Sequence, residues 1–302
     1  MLLFYPALAA GLLGGRKWRA PGRWILIGMI VAAVLAGVVL PIMPATASGG
    51  CLITCMDVGQ GDATLIQAGG SAVLIDGGPD PDVLSRKLRS RRLCYLDAVV
   101  ISHAESDHIG GLSAALDQCK VGMLIHPGTK TGGTMEKLLG QAEQLGVGTR
   151  IMRKGDSLSV GEIGLKALGP PQEIPEGAAA NEYCLVIRAD VNGVSLLLTG
   201  DIEEEGEDYL LREPGALTCD IIKVPHHGGF AEGCGEFFYA VKPRVALIGV
   251  GKDNRYGHPT RATLQALQRC GCAIYRTDLD GDIRVEALPG GLRVECERSR
   301  AA

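Results

Sequence analysis

Two imidazoles and two carboxylates fall within six residues in His103-Ala104-Glu105-Ser106-Asp107-His108. The segment follows an apolar run, Leu96 to Ser102, and leads into Ile109-Gly110-Gly111-Leu112, so it reads as a turn at the end of a buried strand. Packing needs none of these four side chains. Together they suit divalent metals that activate water, so hydrolysis is the chemistry such a cluster would perform.

Four further segments share one design, an apolar strand that ends in polar or glycine-rich residues. They are Met56-Asp57-Val58-Gly59-Gln60-Gly61-Asp62, Leu74-Ile75-Asp76-Gly77-Gly78, Leu196-Leu197-Leu198-Thr199-Gly200-Asp201 and Ile222-Lys223-Val224-Pro225-His226-His227-Gly228. Strand ends are where an α/β scaffold presents site residues on loops held by a rigid core. Taken alone, Asp76-Gly77-Gly78 reads equally well as a simple turn and Thr199-Gly200-Asp201 as a helix N-cap. Taken jointly, His103, Glu105, Asp107, His108, Asp201, His226 and His227 supply enough ligands for two metals, with Asp201 as the shared bridge. The set offers oxygen and imidazole and no sulfur, which suits Zn²⁺ or Mn²⁺. Spacing does not decide which of His226 and His227 binds.

The elements that must position these residues alternate in type. Strands are predicted at Ile53–Val58, Ala63–Gln67, Ala72–Ile75, Asp97–Ser102 and Val121–Ile125, with helices at Pro81–Arg91, Gly111–Gln118 and Thr134–Leu145. Further strands are expected near Gly164–Leu168, Tyr183–Ala189, Val194–Leu198, Asp220–Val224, Val245–Val250, Ala273–Thr277, Asp282–Ala287 and Leu292–Glu297, with helices at Glu203–Leu211 and Arg261–Arg269. This is a mixed α/β layered domain. Aromatic residues make up only 4% of the chain, so Val, Leu, Ile and Ala must pack its core. The ten cysteines form no C-x-x-C pair, which argues against a zinc finger and, in a chain of 302 residues, against a disulfide framework. A net charge of −4 gives no global nucleic-acid footprint, so a polyanion would have to meet local basic residues or the metal site. The densest basic stretch, Arg86 to Arg92, reads as a solvated helix face.

Residues 1–43 differ from the rest. Arg16-Lys17-Trp18-Arg19 to Arg23 is basic, and Trp24 to Met43 is then 20 residues without a charge, long enough to span a bilayer. The expected organisation is membrane segment over 1–43, a small-residue linker over 44–50 and a hydrolase domain over 51–302. Basic residues stay cytoplasmic, which places the hydrolase domain outside the cytoplasm, at the cell membrane.

The order of motifs resembles the metallo-β-lactamase superfamily, with its H-x-H-x-D-H cluster, a bridging Asp and a late His. More narrowly, D-V-G-Q-G-D, L-I-D-G-G, S-H-x-x-x-D-H-I-G-G-L, L-L-T-G-D-I, K-V-P-H-H-G and Tyr256-Gly257-His258-Pro259 resemble the extracytoplasmic hydrolase domain of ComEC-type DNA-uptake (competence) proteins. The resemblance implies an α/β fold, a four-layer αββα sandwich preceded by the transmembrane segment. It also implies a two-metal site and degradation of one DNA strand, as single-stranded DNA, during uptake. Implied partners are DNA, the membrane and a multi-span channel or other uptake machinery. Phosphodiester hydrolysis would use Asp107, to hold one metal and orient the hydroxide, and His258, to contact the phosphate or protonate the leaving oxygen. Asp57, Asp62, Asp76, Asn181, Lys223 and Arg255 would support the site or meet phosphates. The chain departs from the pattern at Glu105, where the superfamily has its second His, and near Asn181, the one polar residue close to the place of a further His. Two other readings remain open: an extracytoplasmic phosphodiesterase or esterase acting on cell-wall teichoic acid, and a degenerate DNA-binding or channel-associated domain.

Overall fold

In β1 (Cys51–Cys55), β2 (Thr64–Ala68) and β3 (Ser71–Ile75) successive side chains go to opposite faces, and both faces are buried. Ile53, Ile66, Val73 and Ile75 join one hydrophobic cluster; Leu65 and Leu74 join another. A period-two strand that is apolar on both sides must lie inside a sheet covered on both faces. The computed structural model, which describes residues 50–129, 133–174, 181–229, 232–288 and 290–298, has that architecture.

Two sheets pack face to face. The first runs β15-β14-β1-β2-β3-β4-β5-β6 and the second β13-β12-β11-β10-β9-β8-β7. In chain order the remaining strands are β4 (Tyr95–Val100), β5 (Lys120–His126), β6 (Gly148–Ile151), β7 (Ser157–Val160), β8 (Ile163–Ala167), β9 (Ile187–Val191), β10 (Val194–Leu198), β11 (Ile221–Lys223), β12 (Val245–Ile248), β13 (Ala273–Arg276), β14 (Ile283–Leu288) and β15 (Gly291–Cys296). The central cluster takes Ile66, Val73 and Val100 from the first sheet and Leu165, Ile187, Leu196 and Leu198 from the second. Leu65, Leu74 and Val99 face outward onto helices α1 (Pro81–Ser90), α2 (Ser106–Ile109), α3 (Leu112–Gln118) and α4 (Gly133–Gln144). Leu197, Ile222 and Ala246 do the same under α5 (Glu204–Leu211), α6 (Cys234–Val241) and α7 (Arg261–Arg269). The order helix, sheet, sheet, helix is the expected α/β sandwich.

Local signals explain the helix starts. Asp80 caps α1 by accepting from the Asp82 and Val83 amides, with Pro81 in the first turn, and Thr260 caps α7 by accepting from Thr263 N. The basic face of α1 is not simply solvated. Lys87 and Arg91 both bind the buried Asp282, whose Oδ1 also accepts from Asp57 N at 2.8 Å. The helix thereby fastens the loop that follows β1.

Some expected elements differ. The strand predicted at Tyr183–Ala189 begins later, as β9, after a 3₁₀ turn at Asn181–Tyr183. Strands β6 and β7 and helix α6 were not foreseen. The membrane segment over 1–43 and the linker up to residue 49 lie outside the described residues. Among the described residues no helix is long and apolar enough to cross a membrane.

Helix α5 buries an acid. Glu207 is 3% exposed, its Oε2 has no hydrogen-bond partner, and Ile202, Pro225 and Phe238 line the same small pocket. Burial pushes its carboxyl up to about 8, helped by the nearby Asp208, Glu182 and Glu204. The unfolded chain therefore ionises near the ordinary carboxylate value while the folded chain stays protonated, and stability falls as pH rises through that window. Glu207→Gln is expected to melt higher than the native chain by a margin that grows from about pH 4.5 to 8, levels off above, and reaches about 5 °C or more. Thermal unfolding of the two proteins at matched metal content checks this; a margin independent of pH would contradict it.

Candidate metal centre

The site residues occupy the carboxyl ends of strands from both sheets. Asp76 follows β3, Ser102 and His103 follow β4, Asp201 follows β10, and His226 and His227 follow β11. Backbone hydrogen bonds tie these loops to one another. Asp62 N donates to Asp107 O at 3.2 Å, Gly77 N to His108 O at 2.7 Å, and Gly78 N to Asp62 O at 2.8 Å. Across the sheets, Leu185 N donates to Ser102 O at 2.7 Å, and within the second sheet His226 N donates to Gly200 O at 3.3 Å. Two glycines permit the closeness. A Cβ on Gly61 (φ +141°) would stand 2.2 Å from Asp107 O, and one on Gly200 (φ +58°) 3.0 Å from Ser102 Cβ. Thr199 is no helix cap, because its hydroxyl donates to Lys223 O at 2.7 Å and the cap position of α5 is Glu203.

Three imidazoles are oriented alike. His108 Nδ1 lies 2.8 Å from Asp76 Oδ2, and His227 Nδ1 lies 2.8 Å from Gly249 O. Ser102 Oγ donates to Asp76 Oδ2 at 2.7 Å, which leaves it to accept from His103 Nδ1 at 3.0 Å. Each partner takes a proton from Nδ1 and so assigns Nε2 of each ring to face the cluster. His108 Nε2 is 3.0 Å from Asp201 Oδ1, and His227 Nε2 is 3.3 Å from Asp201 Oδ2 and 3.2 Å from Asp107 Oδ2.

Ligand-capable atoms of Asp62, His108, Asp201 and His227 lie within 4.8 Å of one another, as do those of His103, Glu105 and Asp201. Within these groups His103 Nε2 is a buried atom without a hydrogen-bond partner, and His108 Nε2 and Asp201 Oδ1, also buried, meet only each other. Buried imidazole and carboxylate atoms that converge this closely are what a divalent cation would satisfy, and the mixed set fits such an ion. Asp62 has a different place from the rest. Its Oδ2 pairs with Lys223 Nζ at 2.6 Å, and its Oδ1 faces the Nδ1 side of His227, away from the ring's Nε2.

Electrostatics agree with that reading. Burial opposes charge on the Asp201 carboxyl, but His108 and His227 hold it well below the usual carboxylate range. Burial likewise opposes charge on both imidazoles. Asp201 and Asp76 nevertheless raise His108, and Asp201 and Asp62 raise His227, well above the usual value. Asp62, despite burial, is held at about 2 by Lys223 and His227. Without a metal the imidazoles must supply the positive charge that the buried carboxylates demand.

The other expected site residues separate into groups. Asp107 faces the cleft, with its side chain 27% exposed. Glu105 is exposed, its Oε2 3.8 Å from His103 Nε2. His226 and His227 both have left-handed backbones (φ 47° and 53°), a conformation that costs a non-glycine residue roughly 1 kcal/mol or more. That turn sends the two rings apart, and His227 alone of the pair enters the cluster. His226 stands at the rim, its Nδ1 3.3 Å from Glu203 Oε1. Asn181 donates to the same Glu203 oxygen at 3.2 Å. Lys223 is 3% exposed, bound to Asp62 and to Val224 O, so the phosphate contact expected of it is closed. Asp57 sits to one side, paired with Arg298 at 2.7 Å. Arg255 and His258 line a cleft of about 500 Å³ together with Gln60, Glu105, Asp107 and Asp201. Burial and the neighbouring His226 and His227 lower the His258 imidazole, which keeps it neutral. Sequence reading missed Ser102, Gly249 and Asn254, which hold site groups by hydrogen bonds; only Ser102, adjoining His103 in the motif, carried a local signal.

Residues 56–251 match the family model of the metallo-beta-lactamase superfamily. The chain belongs to that superfamily, and the fold and the His/Asp cluster define it as a hydrolase of that class. Its sequence is 34% identical over 253 residues to "ComE operon protein 3" of Bacillus subtilis (strain 168), covering 77% of this chain and 32% of that protein. It is 28% identical over 272 residues to "Competence protein ComA" of Neisseria gonorrhoeae, covering 87% and 36%. The chain thus spans about a third of the length of these relatives, and the similarity is to competence proteins of the ComEC type. Among solved structures, the metallo-beta-lactamase fold protein YhfI from Bacillus subtilis superposes with a TM-score of 0.55 at 13% identity, over 78% of this chain and 99% of that one. At that identity the likeness speaks for the fold.

His108 and His227 must lose protons before Nε2 can bind a cation. Because both are held above the ordinary value, metal affinity is expected to rise with pH across the neutral range, with release of up to about two protons per chain. Titration calorimetry of metal-free protein with Mn²⁺ in buffers of different ionisation enthalpy reads this directly. Binding heats that do not vary with the buffer would contradict it.

Proposed function

We propose that the chain is a metal-dependent phosphodiesterase that cleaves DNA, degrading one strand during uptake, as the competence relatives' names suggest by analogy. The observation that carries the reading is the convergence of the His103, His108 and His227 Nε2 atoms on Asp201 at the floor of an open cleft of about 500 Å³. In this reading His103, Glu105 and Asp201, together with Asp107, His108 and His227, would hold two divalent ions, Zn²⁺ or Mn²⁺. Such ions supply Lewis acidity toward a phosphoryl oxygen and a nucleophilic hydroxide at neutral pH.

The chain's own residues do the remaining work. Asp107, half in the cleft, accepts a hydrogen bond from the attacking water and fixes its line of approach. Asp76, Ser102 and Gly249 keep the three imidazoles in one tautomer, so the ligand set stays organised between turnovers. His258, neutral at the cleft wall, donates a hydrogen bond to a phosphate oxygen or the leaving oxygen. Among the described residues that line the cleft Arg255 is the one permanent cation, and it meets a neighbouring phosphate. Glu105, Asp107 and Asp201 make the cleft acidic, which repels a polyanion until cations are bound and makes cleavage depend on metal.

The charge-free run of residues 24–43 supports a membrane anchor, with basic residues 16–23 on the cytoplasmic side and the hydrolase domain outside. A separate channel protein would pass the strand to it.

With Mn²⁺, the full chain is expected to degrade single-stranded DNA, and Asp201→Asn to lower the rate at least about 100-fold. Gel assays with labelled oligonucleotides across Mn²⁺ and Zn²⁺ check this. Metal-loaded protein that cleaves small phosphodiesters but leaves DNA intact would favour a different substrate, such as a cell-wall phosphodiester.

A further inference from the structure

At the mouth of the cleft stands an aromatic side chain with no packing role. Tyr256 is 56% exposed and is the one large exposed hydrophobic among the residues lining the cleft. A tyrosine carries a flat apolar face and a polar tip, and here that face is open to whatever enters the cleft.

The ring is held in place. Asn254 braces the turn with four hydrogen bonds: its Nδ2 donates to Gly251 O at 3.1 Å and His258 O at 2.7 Å, and its Oδ1 accepts from Tyr256 N at 3.2 Å and His258 N at 3.0 Å. Beside the ring, the Arg255 guanidinium lies 5.1 Å from its centroid, and Nη2 is 3.0 Å from the phenol oxygen. Among the described residues no carboxylate pairs with Arg255. On the inner side the His258 ring follows at 5.8 Å and 32° from Tyr256, and His226 follows at 5.3 Å from His258. A flat ring face and a guanidinium without a carboxylate partner thus stand together at the lip of the cleft that holds Asp201.

We propose that Tyr256 is a base-stacking subsite. It takes an unpaired nucleobase of the strand being cut, while Arg255 meets an adjoining phosphate. The inference rests on the reading of the chain as a DNA hydrolase and adds how that substrate is gripped. With metal bound, the ions and Arg255 offset the cleft's carboxylates, and a contact to the base adds affinity that phosphate contacts alone do not give. Stacking also tolerates any sequence, because every base has a π-face. It requires the base to be out of a duplex.

Two substrates of equal charge separate the possibilities: oligo(dT), and an oligomer of the same length whose residues are abasic tetrahydrofuran phosphates. With Mn²⁺ and the full chain, KM for the abasic oligomer is expected to exceed that for oligo(dT) by roughly 10-fold, the order that stacking on one ring supplies. Tyr256→Ala should bring the two KM values within about twofold by raising that of oligo(dT), with kcat changed far less. Tyr256→Trp should keep the discrimination. Equal KM values for the native chain, or a parallel loss on both substrates in Tyr256→Ala, would overturn the subsite while leaving DNA hydrolysis standing. Failure of the native chain to cut either oligomer would instead remove the DNA-hydrolase reading, and the subsite with it.

Discussion

The fold is organised around a carboxylate that cannot stay buried alone. Asp201 is 1% exposed, and Asp62 and Asp76 are buried close by. An unpaired ion in such surroundings costs several kcal/mol, so the structure surrounds these carboxylates with cations and donors. Lys223 neutralises Asp62 from beneath, Ser102 and His108 take up Asp76, and His108 and His227 flank Asp201. These partners come from strand ends in both sheets, so the demand of one small volume ties the two halves of the sandwich together. The glycine contacts at Gly61 and Gly200 follow from the same demand, because the loops must approach closely for the partners to reach.

That arrangement also explains why the imidazoles serve two states. Their Nδ1 atoms are engaged by fixed acceptors, so the rings do not reorient. Their Nε2 atoms carry protons when no cation is present and give them up when one arrives. The same positions therefore support the carboxylates in the metal-free protein and become ligands in the loaded one. His226, one residue from His227, lies outside this scheme because its ring points to Glu203 at the rim.

Much of this was legible in the sequence. The apolar runs ending in Asp76, His103, Asp201 and His227 marked both the strands and the corner where they meet, because buried strands and their polar ends have strong local signatures. What was not legible depends on geometry that no local pattern carries. The choice between His226 and His227 rests on two left-handed residues in succession. Lys223 read as a free cation, yet it is a buried partner of an acid 161 positions earlier in the chain. Strand β6 is exposed throughout and shows no apolar alternation, and β7, although Ser-Leu-Ser-Val alternates, is only four residues long. Helix α6 has Gly233 at its cap position, with no capping side chain, and its two Phe residues are weak helix formers whose burial under the second sheet holds it.

The central claim is that the cluster around Asp201 holds divalent metal. Elemental analysis of the full chain, purified without chelators and equilibrated with Mn²⁺, tests it most directly. The account requires between one and two metal ions per chain, falling toward zero in Asp201→Asn while the variant remains folded by circular dichroism. A native chain that stays metal-free under these conditions would contradict it.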